Sequence, residues 1–279
     1  RYLEEEEGFR VTYLPVDREG KVRLDVLRQS LCQETILVSI MYVNNEIGTC
    51  QPIREIASIV KDYNRNILFH VDAVQGFGKY YIYPKKDGID LLTISGHKIH
   101  GPKGTGVLYI RDGVKIRPVI FGGEQQKNIR SGTENVPGIA GIGLAAWEIY
   151  RNLDANVLKM RELKAYFEEG LKKIEHTVIH GPSSCEGAPH IVSAGFAGIR
   201  SEVLLHTLEE HGIYVSSGSA CASNHPGISS VLKSIGTSRE YLDATIRFSM
   251  SEFTTKEEID YTLQTLYNCI PMLRRYMRR

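Results

Sequence analysis

Short apolar runs rich in β-branched and aromatic residues recur through the front half of the chain: FRVTYLPV, TILVSIMYV, NILFHVDA, IDLLTIS and GVLYIRD. Each has the length of a strand, and their near-continuous hydrophobicity marks strands covered on both faces. Helical spacing fills the gaps. LDVLRQSL lies between the first two runs, and Pro52 opens a second helix through Ile53, Ile56, Ile59 and Val60, as proline at a first turn does. This alternation predicts an α/β fold with a mostly parallel sheet between helices. Ligands in such folds bind at the carboxyl ends of strands.

After RSGTENVPG the pattern becomes a long helix, with Leu153, Val157, Met160, Leu163, Phe167, Leu171 and Ile174 stepping by three and four. HIVSAGF and IRFSM then read as strands, IYVSSGS as a strand and loop, and EVLLHTLEEHG as a helix stopped by Gly212. Thr254 with Glu257, or Thr255 with Glu258, forms a capping box before a final helix. We therefore expect a large sheet domain over 1–152 and a smaller α+β domain over 153–279. A chain of 279 residues, 42% hydrophobic, has ample material for both cores.

The balance of 34 basic and 33 acidic side chains gives no reason to expect nucleic acid or an anionic membrane as a partner. No apolar run approaches the roughly 20 residues that span a bilayer. Five scattered cysteines without a C-x-x-C pair support neither a disulfide framework nor a zinc site, so no metal is expected, and a reducing, cytoplasmic setting fits best. The chain opens on RYLEEEEGFR without an initiator methionine, and an upstream segment, targeting or otherwise, is compatible with that start.

The stretch SGHKIHGPKGTG follows an apolar strand, yet it fails the nucleotide-loop pattern because Pro102 stands where lysine is required. Its glycines fit close passage of the chain past a ligand, with one lysine as an amine nucleophile. Asp72 ends another strand, in HVDAVQ. A lysine that holds an aldehyde and a carboxylate that keeps a pyridine nitrogen protonated are the two groups pyridoxal phosphate needs from a protein. Lys98 and Asp72 have the residue types and strand-end placements for those tasks. Ser95 and His97 are of types that bond phosphate.

HVDAVQ, TISGHKIHGPKGTG, RSGTENVPG, VSSGSACAS and IRFS occur in this order over essentially the whole chain. Together they resemble the signatures of the pyridoxal-phosphate-dependent cysteine desulfurases, in the class with the SSGSAC cysteine loop. The resemblance implies a fold-type-I transferase-like homodimer that takes L-cysteine to L-alanine. Sulfur would pass as a persulfide on Cys221 to an acceptor or iron–sulfur scaffold protein. It further implies that Lys98 binds the aldehyde and Asp72 the ring nitrogen. Asn45 and Gln75 would approach the ring oxygen. Ser95, His97 and, across the homodimer, Thr133 would bind the phosphate, and Arg247 the substrate carboxylate, for which a planar guanidinium is suited.

Two departures stand against it. Family members carry a segment ahead of this chain's first residue, with a glycine/threonine phosphate loop and a histidine stacked on the ring; without it, weak cofactor binding is expected. His190 stands where relatives often have asparagine. A selenocysteine lyase or an aminotransferase of the same fold would share most of these residues. A non-catalytic scaffold, or one piece of a split enzyme, is the alternative from another class.

Overall fold

The front strands pair in chain order. In a computed structural model, which describes residues 2–217 and 228–277, β1 (Leu37–Met41), β2 (Leu68–Asp72), β3 (Leu91–Ser95) and β4 (Gly106–Ile110) form one sheet in the order β1-β2-β3-β4. The first two pairings are parallel; β4 returns antiparallel to β3. Parallel neighbours need a crossover, and helix Ile53–Tyr63 supplies the one between β1 and β2. A loop suffices for the antiparallel return.

The two faces of this sheet differ. Val38, Ile40, Phe69, Val71 and Leu92 are buried, as are Ile53, Ile56, Ala57, Ile59 and Val60 of the helix. On the other face the register sets Met41, Asp72, Thr93 and Leu108 in one row, and each of them is at least partly exposed. Buried Asp90 fastens the rim: it accepts from Lys61, from the Phe69 amide at 2.7 Å and from Arg111 Nε at 2.5 Å. Burial alone would raise its pKa, but these donors together hold it below the ordinary aspartate value.

This sheet belongs to a unit formed by Gln33–Tyr42 and Pro52–Leu153. The second unit joins Arg1–Cys32 and Val43–Gln51 to Asp154–Arg279. The division expected after residue 152 lies beside the last crossing, but 1–32 and 43–51 group with the C-terminal part. Gln51 ties them to each other, donating to the Gly20 carbonyl at 2.7 Å and accepting from the Val22 amide at 2.9 Å.

The sheet of the second unit comprises β5 (Thr177–His180), β6 (Ile191–Phe196), β7 (Ser216–Ser217) and β8 (Thr245–Ser249), in the order β5-β6-β8-β7 and antiparallel throughout. Every residue of β6 is buried. Its neighbours in the core include Phe167 from helix Leu153–Leu171, Leu204 and Leu208 from helix Ser201–Glu210, and Leu266 and Ile270 from helix Lys256–Met277. Phe167 meets Phe248 edge-on at 4.9 Å, a favoured geometry for two aromatic rings. Of the two capping boxes, Thr255 and Glu258 form the reciprocal pair, at 2.8 and 3.2 Å.

Several elements differ from expectation. FRVTYLPV is not a strand: Phe9 and Tyr13 are exposed, and only Val16 makes a bridge, to Val22. Its alternating residues have no neighbouring strand to pair with, and the ladder rather than the propensity makes a strand. Among the described residues, IYVSSGS contributes the two residues of β7. The long helical stretch is preceded by a separate helix, Val136–Arg151, capped by the Asn135 side chain on the Gly138 amide.

Candidate active site

Asp72 closes β2. Its Oδ1 accepts from the Val74 amide at 2.9 Å and so caps the turn that carries half-buried Gln75. Two residues earlier on the same face, His70 spans three strands: its Nδ1 lies 2.8 Å from Ser39 Oγ on β1, and its Nε2 3.3 Å from Thr93 Oγ1 on β3. Burial lowers the His70 pKa, although Asp72 opposes that shift. A neutral imidazole beside the carboxylate follows.

Strand alternation puts Ser95 on the face that bears Thr93 and Asp72. The chain then enters a short 3-10 turn, Gly96–Lys98. Ser95 Oγ and His97 Nδ1 are hydrogen-bonded at 3.0 Å. Lys98 is exposed and makes no ion pair among the described residues. The next residue anchors it: Ile99 is fully buried against Ile142, Ile149 and Phe77. A solvent-facing amine is thus mounted on a fixed base.

The loop glycines serve the chain itself. A Cβ on Gly96 would lie 2.4 Å from Thr105 Oγ1, and one on Gly101 would lie 3.0 Å from the Gly96 carbonyl. The loop is closed by Gly96 N to the Thr105 carbonyl and Gly101 N to the Gly96 carbonyl, both at 2.9 Å. At Gly96 the Thr105 side chain and at Gly101 the neighbouring backbone leave little room for a side chain. Thr133 is exposed, just ahead of the Asn135 cap.

The second unit holds Arg247 and Asn45. On β8, Arg247 sits opposite Ser193 of β6 and Ser216 of β7. Its Nη1 donates to the Asn45 carbonyl at 2.9 Å, and its Nη2 to Ser216 Oγ at 3.1 Å. His190, buried, precedes β6, and its carbonyl accepts from the Met250 amide at 2.9 Å. Cys221 lies outside the described residues. Asp72, Gln75, Ser95, His97, Lys98 and Thr133 therefore share one unit, and Asn45 and Arg247 the other. Sequence reasoning did not single out Ser216 as a partner of Arg247, although Ser216 lies in the quoted VSSGSACAS motif.

These residues suit pyridoxal phosphate. An amine without an ionic partner follows a strand end, a hydroxyl and an imidazole stand on the same turn, and a carboxylate sits on the neighbouring strand of the same face. Among the described residues no cluster of His, Cys, Asp or Glu could hold a metal, and no helix is long and apolar enough to cross a membrane.

Comparison with known proteins shows the family. The aminotransferase class-V family matches residues 1–262. Cysteine desulfurase IscS of Dictyoglomus turgidum is 46% identical over 268 residues, which cover 96% of this chain and 67% of that protein. A NifS-like protein superposes with a TM-score of 0.90 at 39% identity, covering 98% of this chain and 71% of its own. SspA, solved in complex with cysteine, gives a TM-score of 0.73 at 30% identity, over 90% of this chain and 69% of its own. The chain thus spans about two thirds of the length of these relatives. It belongs to the class-V aminotransferases, in the branch whose curated members carry the name cysteine desulfurase.

Proposed function

We propose that this chain is a pyridoxal-phosphate-dependent cysteine desulfurase that converts L-cysteine to L-alanine and supplies sulfur for iron–sulfur clusters or other thio-cofactors. One juxtaposition carries the cofactor reading: Lys98, without an ionic partner among the described residues, one turn past Ser95, with Asp72 on the adjacent strand of the same face. The cofactor, when bound, supplies an electron sink for bonds at the substrate's α-carbon. Lys98 provides the amine for its aldehyde and can then shuttle a proton at the substrate carbon. Asp72 holds a proton on the ring nitrogen, and His70, bonded to Ser39 and Thr93, stands beside it on the same face.

Ser95 and His97 donate to the phosphate, joined by Thr133 in a homodimer, while Gln75 and Asn45 face the ring oxygen. Arg247 takes the substrate carboxylate. The choice of desulfuration over amino transfer rests on Cys221 within SSGSAC and on the relatives' names. Its thiolate attacks the substrate sulfur; an S–S bond forms as the C–S bond breaks, and a proton replaces sulfur on the carbon. The products are L-alanine and a Cys221 persulfide, with no outside oxidant. An acceptor or scaffold protein then removes the sulfur.

The test is product analysis of the cofactor-loaded chain with L-cysteine. Alanine and reductant-releasable sulfide are expected in equal amounts, and Cys221→Ser is expected to yield neither above background. A keto acid in place of alanine would assign an aminotransferase.

A further inference from the structure

The surroundings of Arg247 are more elaborate than a carboxylate clamp requires. Its two terminal nitrogens are held by different elements, Nη1 by the Asn45 carbonyl at 2.9 Å and Nη2 by Ser216 Oγ at 3.1 Å. One such bond leaves a guanidinium free to rotate about the contact. Two bonds through two nitrogens also fix its plane, and a bidentate carboxylate needs that plane set.

The carbonyl is itself immobilised. Asn44 Oδ1 accepts from the Glu46 and Ile47 amides at 2.9 and 3.0 Å, and Gly48 N closes on the Asn44 carbonyl at 3.0 Å. Ile47 is buried against Leu232 and Ile235. Glu46 Oε2 accepts from Ser229 Oγ at 2.5 Å, and that same oxygen caps the Leu232 amide at 3.1 Å. The turn at 44–48 is a rigid post for one edge of the guanidinium. At the other edge, β7 presents the Ser216 hydroxyl directly opposite Arg247.

We propose that Ser216 is a positioning residue for substrate recognition: its hydroxyl sets the plane of the Arg247 guanidinium against the fixed Asn45 carbonyl, and so sets the preference for a ligand that bears a carboxylate. The inference rests on the reading that Arg247 takes the substrate carboxylate.

A pair of ligands differing only in that carboxylate isolates the effect. Cofactor-loaded protein carrying Cys221→Ser, which prevents turnover, is titrated with L-cysteine and with cysteamine, and the ratio of the two affinities is read. Adding Ser216→Ala is expected to lower that ratio about ten-fold, the scale of one hydrogen bond to a charged group, with cysteamine binding unchanged. Ser216→Thr, which keeps the hydroxyl, is expected to restore most of it, and Arg247→Ala to abolish the preference.

An unchanged ratio in Ser216→Ala, equal weakening of both ligands, or no preference for L-cysteine when Ser216 is present would each overturn the inference. The desulfurase reading is judged separately, by alanine formation in the protein that retains Cys221. A chain that prefers the carboxylate, loses that preference with Ser216, and yet forms no alanine would refute the function and leave Ser216 in its role.

Discussion

The two sheets of this molecule divide the work in opposite ways. β6 is buried along its whole length, and the core around it takes residues from three helices. β1 alternates exposed and buried positions, and its partly exposed face continues through Asp72, Thr93 and Ser95. The sealed sheet gets its firmness from packing. The open one leaves a face on which a carboxylate, a hydroxyl and the root of the Lys98 turn remain accessible. Arg247 shows how the sealed sheet can still present a functional group: it stands on a half-buried position of β8 and is held by hydrogen bonds to its guanidinium.

The largest expected effect tests whether the sealed sheet is the firmer one. Phe196→Ala removes a fully buried ring from β6 and is expected to cost about 4 kcal/mol in a denaturant titration. A loss below about 1 kcal/mol would mean that the core around β6 is not tightly packed.

Acid acts on both sheets through a buried or half-buried imidazole. In the second unit, His180 is buried and its pKa is lowered to about 4 by desolvation. Thr245 Oγ1 gives its proton to the Tyr241 carbonyl at 2.7 Å, so His180 must donate from Nε2 to Thr245 Oγ1 at 3.1 Å. The neutral ring is the one built in. As pH falls below about 6.5 the unfolded chain takes up the proton first. Stability is therefore full above that value, declines until pH reaches about 4, and declines no further from this group. The total loss is about 3 kcal/mol. Hydrogen exchange in β5, β6 and β8 is expected to accelerate over that window, and His180→Gln is expected to flatten the dependence. His70 contributes in the same direction in the first sheet, since burial lowers its pKa too. An unchanged slope in the His180 variant would remove that group from the account.

The smallest effect belongs to the open face. Met41 is 40% exposed there, and Met41→Ser is expected to change stability by no more than about 0.5 kcal/mol. A loss comparable to that of Phe196→Ala would erase the contrast between the sheets.

Much of this organisation is legible in the sequence, for reasons that differ from place to place. β1 to β4 carry apolar runs of strand length, although one face of their sheet is partly exposed, and Asp72 and Ser95 stand at strand ends because the runs stop there. FRVTYLPV has the same composition and misleads, because strand formation depends on a neighbour that the sequence does not name. β5 leaves no signal in the sequence because its four residues are too few to show a period. The partners of Arg247 are least legible: Asn45 lies 202 positions away and is engaged through its backbone carbonyl, so its side chain gives no sign of the contact. Ser216 is 31 positions away and looks like any serine in a glycine/serine loop. Cys221 was legible from its motif alone and lies outside the described residues.

The central claim is that the open face is the chemical one, with Lys98 as its amine. It is tested most directly by loading the protein with pyridoxal phosphate, reducing it with borohydride and mapping the peptides. The account predicts a pyridoxyl group on Lys98 and on no other lysine. A label on Lys103, or on any lysine outside the turn that follows β3, with Lys98 unmodified, would contradict it.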